Sequence, residues 1–301
     1  MGTLFVVATP IGNLEDLSPR ALRTLREVSL IAAEDTRHSR GLLTHFGVET
    51  PLISYHEHNQ RERRKRILRA LDSGDVALIT DAGTPAISDP GTDLVAAALA
   101  SGHRVSPIPG PSALSSAVSA SGLIDGPFLS LGFLPRERAD RQKTLARAAA
   151  SGMPLVLFES ARRLMASLHD LRESLGDRQA VLMRELTKIH EEVRAGTLSE
   201  LSSWSERVMP RGEVVLVVSG AEASSASPTE AETVVRALRQ SGLSASRTAR
   251  EAAAMTGLPR SELYRLAMEV DLSGSVRLES QLSLPDQNTL EDALGDQEGP
   301  E

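Results

Sequence analysis

The sequence predicts an α/β protein made of two α/β domains with a cleft between them and a small C-terminal helical unit. Three observations predict this class. Short apolar runs alternate with helical segments along most of the chain, several of these runs end in loops rich in Gly, Pro and polar residues, and breaks in composition at 122–127 and 221–228 divide the chain. We therefore expect domains at 1–122, 123–220 and 228–272, followed by a disordered acidic tail at 276–301.

The first domain is predicted to contain a mostly parallel sheet. Residues 3–9 form a continuous apolar run, which is typical of a strand buried on both faces. Ser18 suits the N-cap and Pro19 the first turn of a helix over 19–27. Because helices alternate with strands, parallel pairing is favoured. The other strands are predicted at 28–33, 51–54, 76–80 and 103–107, and the other helices at 38–46, 60–72, 93–101 and 113–121.

The second domain is predicted to form another α/β layer that faces the first. Its strands are predicted at 128–132, 154–158, 179–184, 193–196 and 213–219, and its helices at 136–150, 162–175 and 198–204. Three short helices follow at 229–241, 245–255 and 260–270. Ala249, Ala253 and Gly257 suit the tight corner of a helix-turn-helix. The third of these helices has only Arg260 and Arg265 as cations, which disfavours a role in reading DNA.

Four polar or Gly/Pro-rich loops follow predicted strands of the first domain, at 10–18, 34–40, 81–91 and 109–113. Ligands of such sheets bind outside the carboxyl ends of the strands, so the four loops together predict a ligand site. In the third loop, Gly83 and Gly91 allow positive φ, and polar groups come from Asp81, Thr84, Ser88 and Asp89. By itself this loop is equally consistent with a turn in which Asp89 or Thr92 caps the next helix.

Composition excludes several kinds of chemistry. The chain has no cysteine, which rules out disulfides, thiolate nucleophiles and zinc held by cysteine. His56 and His58 lack further ligands at a suitable spacing, so we expect no metal. No apolar run approaches the roughly 18 residues of a membrane span, and no basic leader precedes an apolar segment at the N-terminus. We expect a cytoplasmic protein with no membrane partner.

Charge is distributed unevenly along the chain. The net charge is −7, and the seven carboxylates of residues 279–301, which include no Lys or Arg, account for all of it. The remaining chain is close to neutral but contains a basic run in the predicted helix 60–72. This run is either a solvated helix face or a surface that binds RNA phosphates, with helix 136–150 as a second basic candidate. The cations proposed for RNA are Arg61, Arg63, Arg64, Lys65 and Arg66.

The predicted loops lack the common nucleotide and nucleophile motifs. The Walker A, G-x-G-x-x-G and G-x-S-x-G patterns are all absent from the sequence. Loops built from backbone amides, hydroxyl groups and apolar walls suit a ligand with a nucleoside end and a small zwitterionic end. S-adenosylmethionine fits that description, although the loops alone do not single it out.

Five motifs carry a closer resemblance. They are Ala8-Thr-Pro-Ile-Gly-Asn-Leu-Glu-Asp16, Ala33-Glu-Asp-Thr-Arg37, Thr80-Asp-Ala-Gly-Thr-Pro-Ala-Ile-Ser-Asp-Pro-Gly91, Pro109-Gly-Pro-Ser-Ala113 and Arg184-Glu-Leu-Thr-Lys-Ile-His-Glu-Glu192. In this order they closely resemble the ribosomal RNA small subunit methyltransferase I family of the tetrapyrrole methylase superfamily. The resemblance covers residues 3–220, and the helices at 229–270 resemble the C-terminal helix-turn-helix segment of that family.

The resemblance implies transfer of methyl from S-adenosylmethionine to the ribose 2′-hydroxyl of a cytidine in 16S rRNA, by a homodimer. It also implies a set of cofactor contacts, to which the polar loop adds Asp81: Pro10, Gly83, Thr84, Ile87, Ser112, Ala113, Phe158, Glu159 and Leu186. Tetrapyrrole-modifying relatives usually have Gly-Asp-Pro where this chain has Gly83-Thr-Pro85. This departure favours the RNA-modifying branch over the alternatives, which are a precorrin-like C-methyltransferase and a non-catalytic RNA-binding protein.

A ribose hydroxyl is a poor nucleophile while it is protonated, so a base or a cation near the developing alkoxide would help the transfer. Asp35, Glu185 and Lys188 are the candidates because each lies on a polar loop at the predicted ligand end. The alternative is structural: Asp35 and Glu185 would pair with Arg37 and Arg184 and hold the loops in place.

Overall fold

A computed structural model describes residues 1–221 and 227–270. The chain forms two compact units, the first of which ends at Ala221. The tail predicted to be disordered at 276–301 lies outside the described residues. The domain boundaries at 122 and 220 stay predictions. No helix in the described part of the chain is both long and apolar enough to cross a membrane.

The first sheet of the first unit is entirely parallel, as the alternation of strands and helices predicted. Its order is β3-β2-β4-β1-β5. Most of its central residues are apolar and buried on both faces, which explains why they appear in the sequence as continuous apolar runs. The strands are β1 (Thr3–Val7), β2 (Leu30–Ala33), β3 (Leu52–Ser54), β4 (Val76–Ile79) and β5 (Arg104–Ile108).

Helices cover both faces of this sheet. One core, with Ala21, Leu25 and Leu43, lies under the first two helices, and the core on the opposite face includes Ile67 and Leu94 from the next two. The helices are α1 (Pro19–Glu27), α2 (Thr36–His45), α3 (Gln60–Ser73), α4 (Thr92–Ala100) and α5 (Ala113–Ser121), with a short 3-10 helix at Leu14–Asp16. The start of α1 is as predicted, because the hydroxyl of Ser18 accepts a hydrogen bond from the Ala21 amide at 3.1 Å.

The second sheet of the same unit is mixed. Its order is β6-β7-β10-β8-β9, and only β6 and β7 are parallel. Because no helix separates β8 from β9, these strands pair as an antiparallel hairpin. The strands are β6 (Leu129–Phe133), β7 (Leu155–Ser160), β8 (Gln179–Arg184), β9 (Glu192–Thr197) and β10 (Glu213–Val218); the helices are α6 (Arg138–Ala150), α7 (Leu164–Leu175) and α8 (Leu198–Val208).

The packing of this sheet joins it to the first one. One of its faces is covered by α6, α7 and α8. The other face packs against α5, where Ala117 contacts a cluster that includes Val156, Val181 and Val215. Since α5 follows β5 directly, the carboxyl ends of the first sheet are held next to this face.

Part of the second basic face predicted on helix 136–150 is paired with carboxylates of the protein itself. Arg141 is buried, and its Nε donates to a carboxylate oxygen of Asp170 at 2.6 Å. Arg138 contacts Asp170 and Glu173 at 3.5 and 3.2 Å, and Lys143 pairs with Asp140. Arg141 is therefore unavailable to RNA, and Arg138 and Lys143 are already paired with carboxylates although their side chains are mostly exposed. This helix is a weaker candidate for RNA than α3.

The second unit is a bundle of three helices. They are α9 (Pro228–Gln240), α10 (Ala245–Thr256) and α11 (Arg260–Glu269). Small residues such as Ala231, Ala249 and Ala252 form its core together with Val235 and Leu263. The turn between the last two helices begins at Gly257, whose φ of +68° ends α10 in the left-handed conformation.

Candidate functional site

A cavity of about 240 Å³ lies where the carboxyl ends of the first sheet meet the second sheet of the first unit. The predicted cleft is therefore present. Its wall on the first sheet comes from the loops after β1, β2, β4 and β5, and the opposite wall from β6, β7, β8 and β10. The lining residues are Ile11, Glu34, Thr80, Asp81, Ala82, Gly83, Thr84, Ile87, Ser88, Asp89, Ser112, Ala113, Phe133, Phe158, Glu159, Met183, Leu186, Glu213, Val214 and Val215.

The loop 81–91 is fixed to its neighbours by short backbone hydrogen bonds. The backbones of Thr9 and Gly83 exchange two hydrogen bonds, at 2.9 and 3.0 Å. The hydroxyl of Thr84 donates to the carbonyl of Pro111 at 3.1 Å. Gly83 has a φ of +86°, which few other residues adopt without strain. The loop thus binds together the ends of three strands and forms one wall of the cavity.

This loop stores backbone strain. Ala86 and Ser88 have φ values of 66° and 65°, and left-handed conformations cost L-residues roughly 1–2 kcal/mol each. Helix α4 begins with Gly91 as its N-cap, and no side chain caps it. The alternative prediction that Asp89 or Thr92 caps this helix is therefore wrong, and the carboxylate of Asp89 belongs instead to the cavity lining.

Carboxylates are concentrated at the cavity. Glu34 accepts a hydrogen bond from the Thr80 hydroxyl at 2.6 Å, and Asp81 accepts one from the Asp35 amide at 3.1 Å. Burial raises the pKa of Asp81. Burial, reinforced by the negative charge of Glu34, raises the pKa of Asp89 to about 6. The site therefore favours a positively charged ligand.

Glu159 has a different environment from the other cavity acids. It is almost fully buried, and its carboxylate accepts hydrogen bonds from the Ser160 amide at 2.8 Å and the Ser167 hydroxyl at 2.6 Å. Arg163 lies 3.4 Å from it. Because the carboxylate is already saturated by internal donors, it fixes the end of β7 against α7 while lining the cavity.

Apolar side chains form the rest of the wall. Ile11, Ile87 and Leu186 contribute from loops, and Met183 contributes from the end of β8. The rings of Phe133 and Phe158 lie 5.6 Å apart and are tilted by 52°. The cavity thus combines a flat apolar surface with carboxylates, which suits a ligand that has both an aromatic and a cationic part.

Asp35, the first of the three catalytic candidates, does not line the cavity. It is the N-cap of α2, and its carboxylate accepts from the backbone and the side chain of Arg37 at 2.8 and 2.9 Å. The side-chain hydrogen bonds from Arg37 lower the pKa of Asp35 to about 2. The structural alternative for this residue is confirmed in its geometry, since Asp35 pairs with Arg37 as expected.

Glu185 and Lys188 form a bridge at the edge of the cavity. The Lys188 ammonium contacts Glu185 and Glu213, each at 3.1 Å. Partial burial alone would lower the pKa of Lys188, but its hydrogen bonds to Glu185 and Glu213 outweigh that effect and raise it. Partial burial would likewise raise the pKa of Glu185, yet hydrogen bonds from the Glu213 amide and from Lys188 lower it.

The predicted pair between Glu185 and Arg184 is wrong. Arg184 is the last residue of β8, and its register partner on β9 is Glu192. Its guanidinium therefore contacts Glu192 at 2.7 Å, whereas Glu185 turns away from the strand with a φ of 51° and contacts Lys188. The catalytic roles of Asp35, Glu185 and Lys188 stay predictions.

Nine of the ten residues predicted to contact the cofactor line the cavity, and Pro10 is the exception. Pro10 is buried, and the neighbouring Ile11 lines the cavity in its place. The sequence prediction also missed a group from the second sheet, since the order of its strands is not apparent in the apolar runs. These residues are Phe133, Met183, Glu213, Val214 and Val215. Glu34 was passed over in favour of Asp35, which is the next residue.

The five cations proposed for RNA all lie on α3, but they are not equivalent. Arg61, Lys65 and Arg66 are exposed, and no ion pair recorded in the described ranges involves them. Arg63 and Arg64 are half-buried. Arg64 lies 3.4 Å from Asp93, which also accepts a hydrogen bond from the Tyr55 hydroxyl at 2.6 Å. The exposed three are therefore the stronger candidates for phosphate contacts.

No three His, Asp or Glu side chains in residues 1–221 and 227–270 are grouped in a way that could hold a metal ion.

Two family comparisons match most of the chain. Residues 3–202 match the family described as Tetrapyrrole (Corrin/Porphyrin) Methylases. Residues 225–270 match the family described as RsmI C-terminal HTH domain. The first match includes every cavity wall except β10, and the second covers the three-helix unit.

Close relatives match almost their whole length. A protein of Pseudomonas aeruginosa named Ribosomal RNA small subunit methyltransferase I is 48% identical over 274 residues, which cover 89% of this chain and 97% of that protein. A protein of the same name from Synechocystis sp. is 44% identical over 279 residues, which cover 91% of this chain and 100% of that protein.

A solved structure of a cobalt precorrin-4 methyltransferase, described as a cobalamin biosynthetic enzyme, superposes with a TM-score of 0.57. It covers 72% of this chain and 94% of its own, at 15% identity. At an identity this low, the similarity supports the fold and not the function. Together with the second family match, it confirms the predicted fold class of two α/β sheets and a C-terminal helical unit.

Proposed function

Because the chain belongs to the ribosomal RNA small subunit methyltransferase I family, we propose that it methylates the ribose 2′-hydroxyl of a cytidine in 16S rRNA. The chain is an S-adenosylmethionine-dependent methyltransferase. The observation that carries the proposal is the cavity at the strand ends, where a strained polar loop faces apolar and acidic side chains from the second sheet.

The cavity residues fit S-adenosylmethionine in their chemistry. The adenine is a flat aromatic ring whose faces stack on apolar side chains, and Phe158, Ile87 and Leu186 offer a surface of that kind. The sulfonium and ammonium groups are cations, and Asp81 and Glu34 supply carboxylates. When bound, S-adenosylmethionine supplies an electrophilic methyl group on a positively charged sulfur. We propose that S-adenosylmethionine contacts the loop 81–91, Ser112 and Ala113 on one wall, and Phe158, Glu159 and Leu186 on the other.

The remaining task of the chain is to align the acceptor and to exclude water. Methyl transfer is an in-line displacement, so correct positioning alone lowers the barrier considerably. The walls from the two sheets enclose the cavity on opposite sides. Lys188 is at the edge of the cavity because its ammonium contacts Glu213, which is a lining residue. RNA would approach from outside through cations such as those of α3.

The activity is tested with labelled S-adenosylmethionine and two acceptors side by side, small ribosomal subunits and a precorrin-like tetrapyrrole. The proposal predicts label in 16S rRNA and none in the tetrapyrrole. Label in the tetrapyrrole alone would establish the C-methyltransferase alternative. Cofactor-independent RNA binding with no label in either acceptor would favour the non-catalytic alternative.

We predict that the exposed cations of α3 set the salt dependence of RNA binding. Changing Arg61, Lys65 and Arg66 together to glutamine should weaken binding and flatten the plot of log affinity against log salt. Each lost phosphate contact reduces that slope by roughly 0.7–0.9, so three lost contacts give a change of about 2–3. Filter binding of 16S rRNA at several salt concentrations measures it.

A matched control exists on the opposite face of the same sheet. Helix α1 also presents three exposed cations, Arg20, Arg23 and Arg26. Their replacement by glutamine removes the same charge but should change the slope by much less. If both triple variants lower the slope equally, the effect is one of net charge, and the assignment of α3 to RNA is wrong.

We also predict that Lys188→Ala abolishes methylation and leaves the affinity for S-adenosylmethionine nearly intact. The change removes the ammonium that separates Glu185 from Glu213, and two carboxylates then face the acceptor without a cation. The methylation rate is measured by turnover on small subunits, and the affinity for S-adenosylmethionine by calorimetric titration. Lys188→Arg keeps the charge and should retain part of the activity. Normal turnover of the alanine variant would remove Lys188 from the mechanism.

Two further expectations rest on the resemblance to the superfamily. We propose that the chain forms a homodimer, which sedimentation equilibrium tests; a monomer at micromolar concentration would contradict it. We also propose that the protein acts in the cytoplasm, where small ribosomal subunits are found.

A further inference from the structure

The cavity carboxylates differ in whether a donor satisfies them. Within the described ranges, Glu34 accepts from Thr80, Asp81 from Asp35, Glu159 from Ser160 and Ser167, and Glu213 from Lys188. Asp89 is the exception. The one hydroxyl near it, that of Thr80, donates to Glu34 at 2.6 Å, so Asp89 shares this donor with Glu34 and has no donor of its own in the described part of the chain. Asp89 is therefore half-buried, lines the cavity and keeps its oxygens available for a ligand.

The candidates chosen from the sequence are poorly suited to accept a proton. Asp35 is held by Arg37, and its pKa of about 2 makes it a very weak base. The pKa of Glu185 is also lowered, because the Glu213 amide and Lys188 outweigh the effect of its partial burial. Lys188 stays protonated, since hydrogen bonds to two carboxylates raise its pKa against the effect of burial. It fits the role of a cation rather than a base.

Asp89 has the environment that a general base needs. Around it, Glu34, Asp81 and Glu213 are all negative, and no ion pair recorded for residues 1–221 or 227–270 gives it a cation. Burial and these neighbours raise its pKa to about 6. At neutral pH the group is thus mostly ionised yet more basic than an ordinary carboxylate, close to the optimum for general-base catalysis.

We propose that Asp89 is the general base that accepts the proton of the ribose 2′-hydroxyl, an inference that rests on the function proposed above. The proton moves from the 2′-oxygen to a carboxylate oxygen of Asp89. The 2′-oxygen forms a bond to the methyl carbon while the carbon–sulfur bond breaks. The electron pair of the broken carbon–sulfur bond stays on sulfur. Asp89 then releases the proton to solvent, so the products are the methylated ribose, S-adenosylhomocysteine and one proton.

The test combines a variant with a pH profile. Asp89→Asn keeps the size of the side chain but cannot accept the proton, and kcat should fall by roughly 10²- to 10⁴-fold on small subunits. The dissociation constant of S-adenosylmethionine, measured by calorimetry, should change little. Asp125→Asn, an exposed aspartate on the loop between α5 and β6, is the matched control and should keep wild-type activity.

The pH profile separates a base from a structural residue. A carboxyl with a raised pKa must be ionised to act, so kcat/KM of the wild type should rise with pH through about 6 and then level off. In Asp89→Asn this rise should disappear from the residual activity. A wild-type profile that is flat between pH 5 and 7, or a variant that keeps both the rise and the rate, overturns the assignment of Asp89.

The outcomes also distinguish this inference from the proposed function. If the wild type does not label 16S rRNA at any pH, the proposed function fails and the inference fails with it. If the wild type labels 16S rRNA while Asp89→Asn retains the rate, only the inference fails. The wild-type profile needs no variant, so the test stands even if Asp89→Asn folds poorly.

Discussion

Replacing Gly83 with valine is expected to raise the dissociation constant of S-adenosylmethionine by about 10- to 100-fold and to abolish methyl transfer. Gly83 has a φ of +86°, and a β-branched residue there is strained by roughly 1–3 kcal/mol. An added Cβ would lie 3.3 Å from the Ile11 side chain, which lines the cavity. Relief of this strain displaces the backbone that pairs with Thr9, and each 1.4 kcal/mol lost from binding weakens affinity tenfold.

The control for this variant is a second glycine with the same backbone conformation. Gly47 has a φ of +61° at the end of α2, and an added Cβ would meet no atom within 4 Å. Gly47→Val therefore introduces similar strain at a residue that does not line the cavity. It should lower the free energy of unfolding while leaving the cofactor dissociation constant unchanged. Equal cofactor affinity in Gly83→Val and the wild type would mean that the loop 81–91 does not hold the cofactor.

Asp170→Ala is expected to lower the free energy of unfolding by about 3–5 kcal/mol. Asp170 is 2% exposed, and it pairs with Arg141, which is 7% exposed, at 2.6 Å. Removing one member of a buried pair leaves the other charge without compensation, which is the costly case for ion pairs. Two backbone carbonyls, of Pro135 and Arg136, still accept from Arg141 and soften the loss. Urea denaturation followed by circular dichroism measures it.

Glu173→Ala provides the comparison in the same contact region. Glu173 pairs with Arg138 at 3.2 Å, but both side chains are more than half exposed. Exposed pairs contribute about 0–1 kcal/mol, so this variant should stay close to the wild type. Equal losses in the two variants would show that burial does not govern the strength of this network.

Local signals made most of the fold predictable. Helix α1 begins where Ser18 and Pro19 place it, because a cap and a proline act on adjacent residues. The parallel first sheet follows from alternation of strands with helices. The strand order of the second sheet was harder to predict from the sequence, since β10 lies between β7 and β8 although it follows both in the chain. Nothing in an apolar run specifies such a neighbour, and the wall residues Val214 and Val215 were missed for this reason.

The same distinction holds at the site. Gly83, Thr84 and Ile87, which the sequence proposed as cofactor contacts, do line the cavity, because a Gly/Pro-rich loop after a buried strand lies at the carboxyl end of a parallel sheet. Their contact with the cofactor stays a prediction. Choosing between adjacent acids was harder. Asp35 is the N-cap of α2, so its carboxylate binds the first turn of that helix, whereas the preceding residue, Glu34, lines the cavity. Which of two neighbouring side chains faces a ligand depends on the turn between strand and helix.

Methylation of a cytidine ribose in 16S rRNA leaves a product that can be identified chemically. The most direct measurement is nucleoside mass analysis of 16S rRNA from small subunits treated with the protein and S-adenosylmethionine. We expect new 2′-O-methylcytidine with the wild type and none with Gly83→Val. A methyl group on a base, or 16S rRNA that stays unmodified while a tetrapyrrole is methylated, would contradict it.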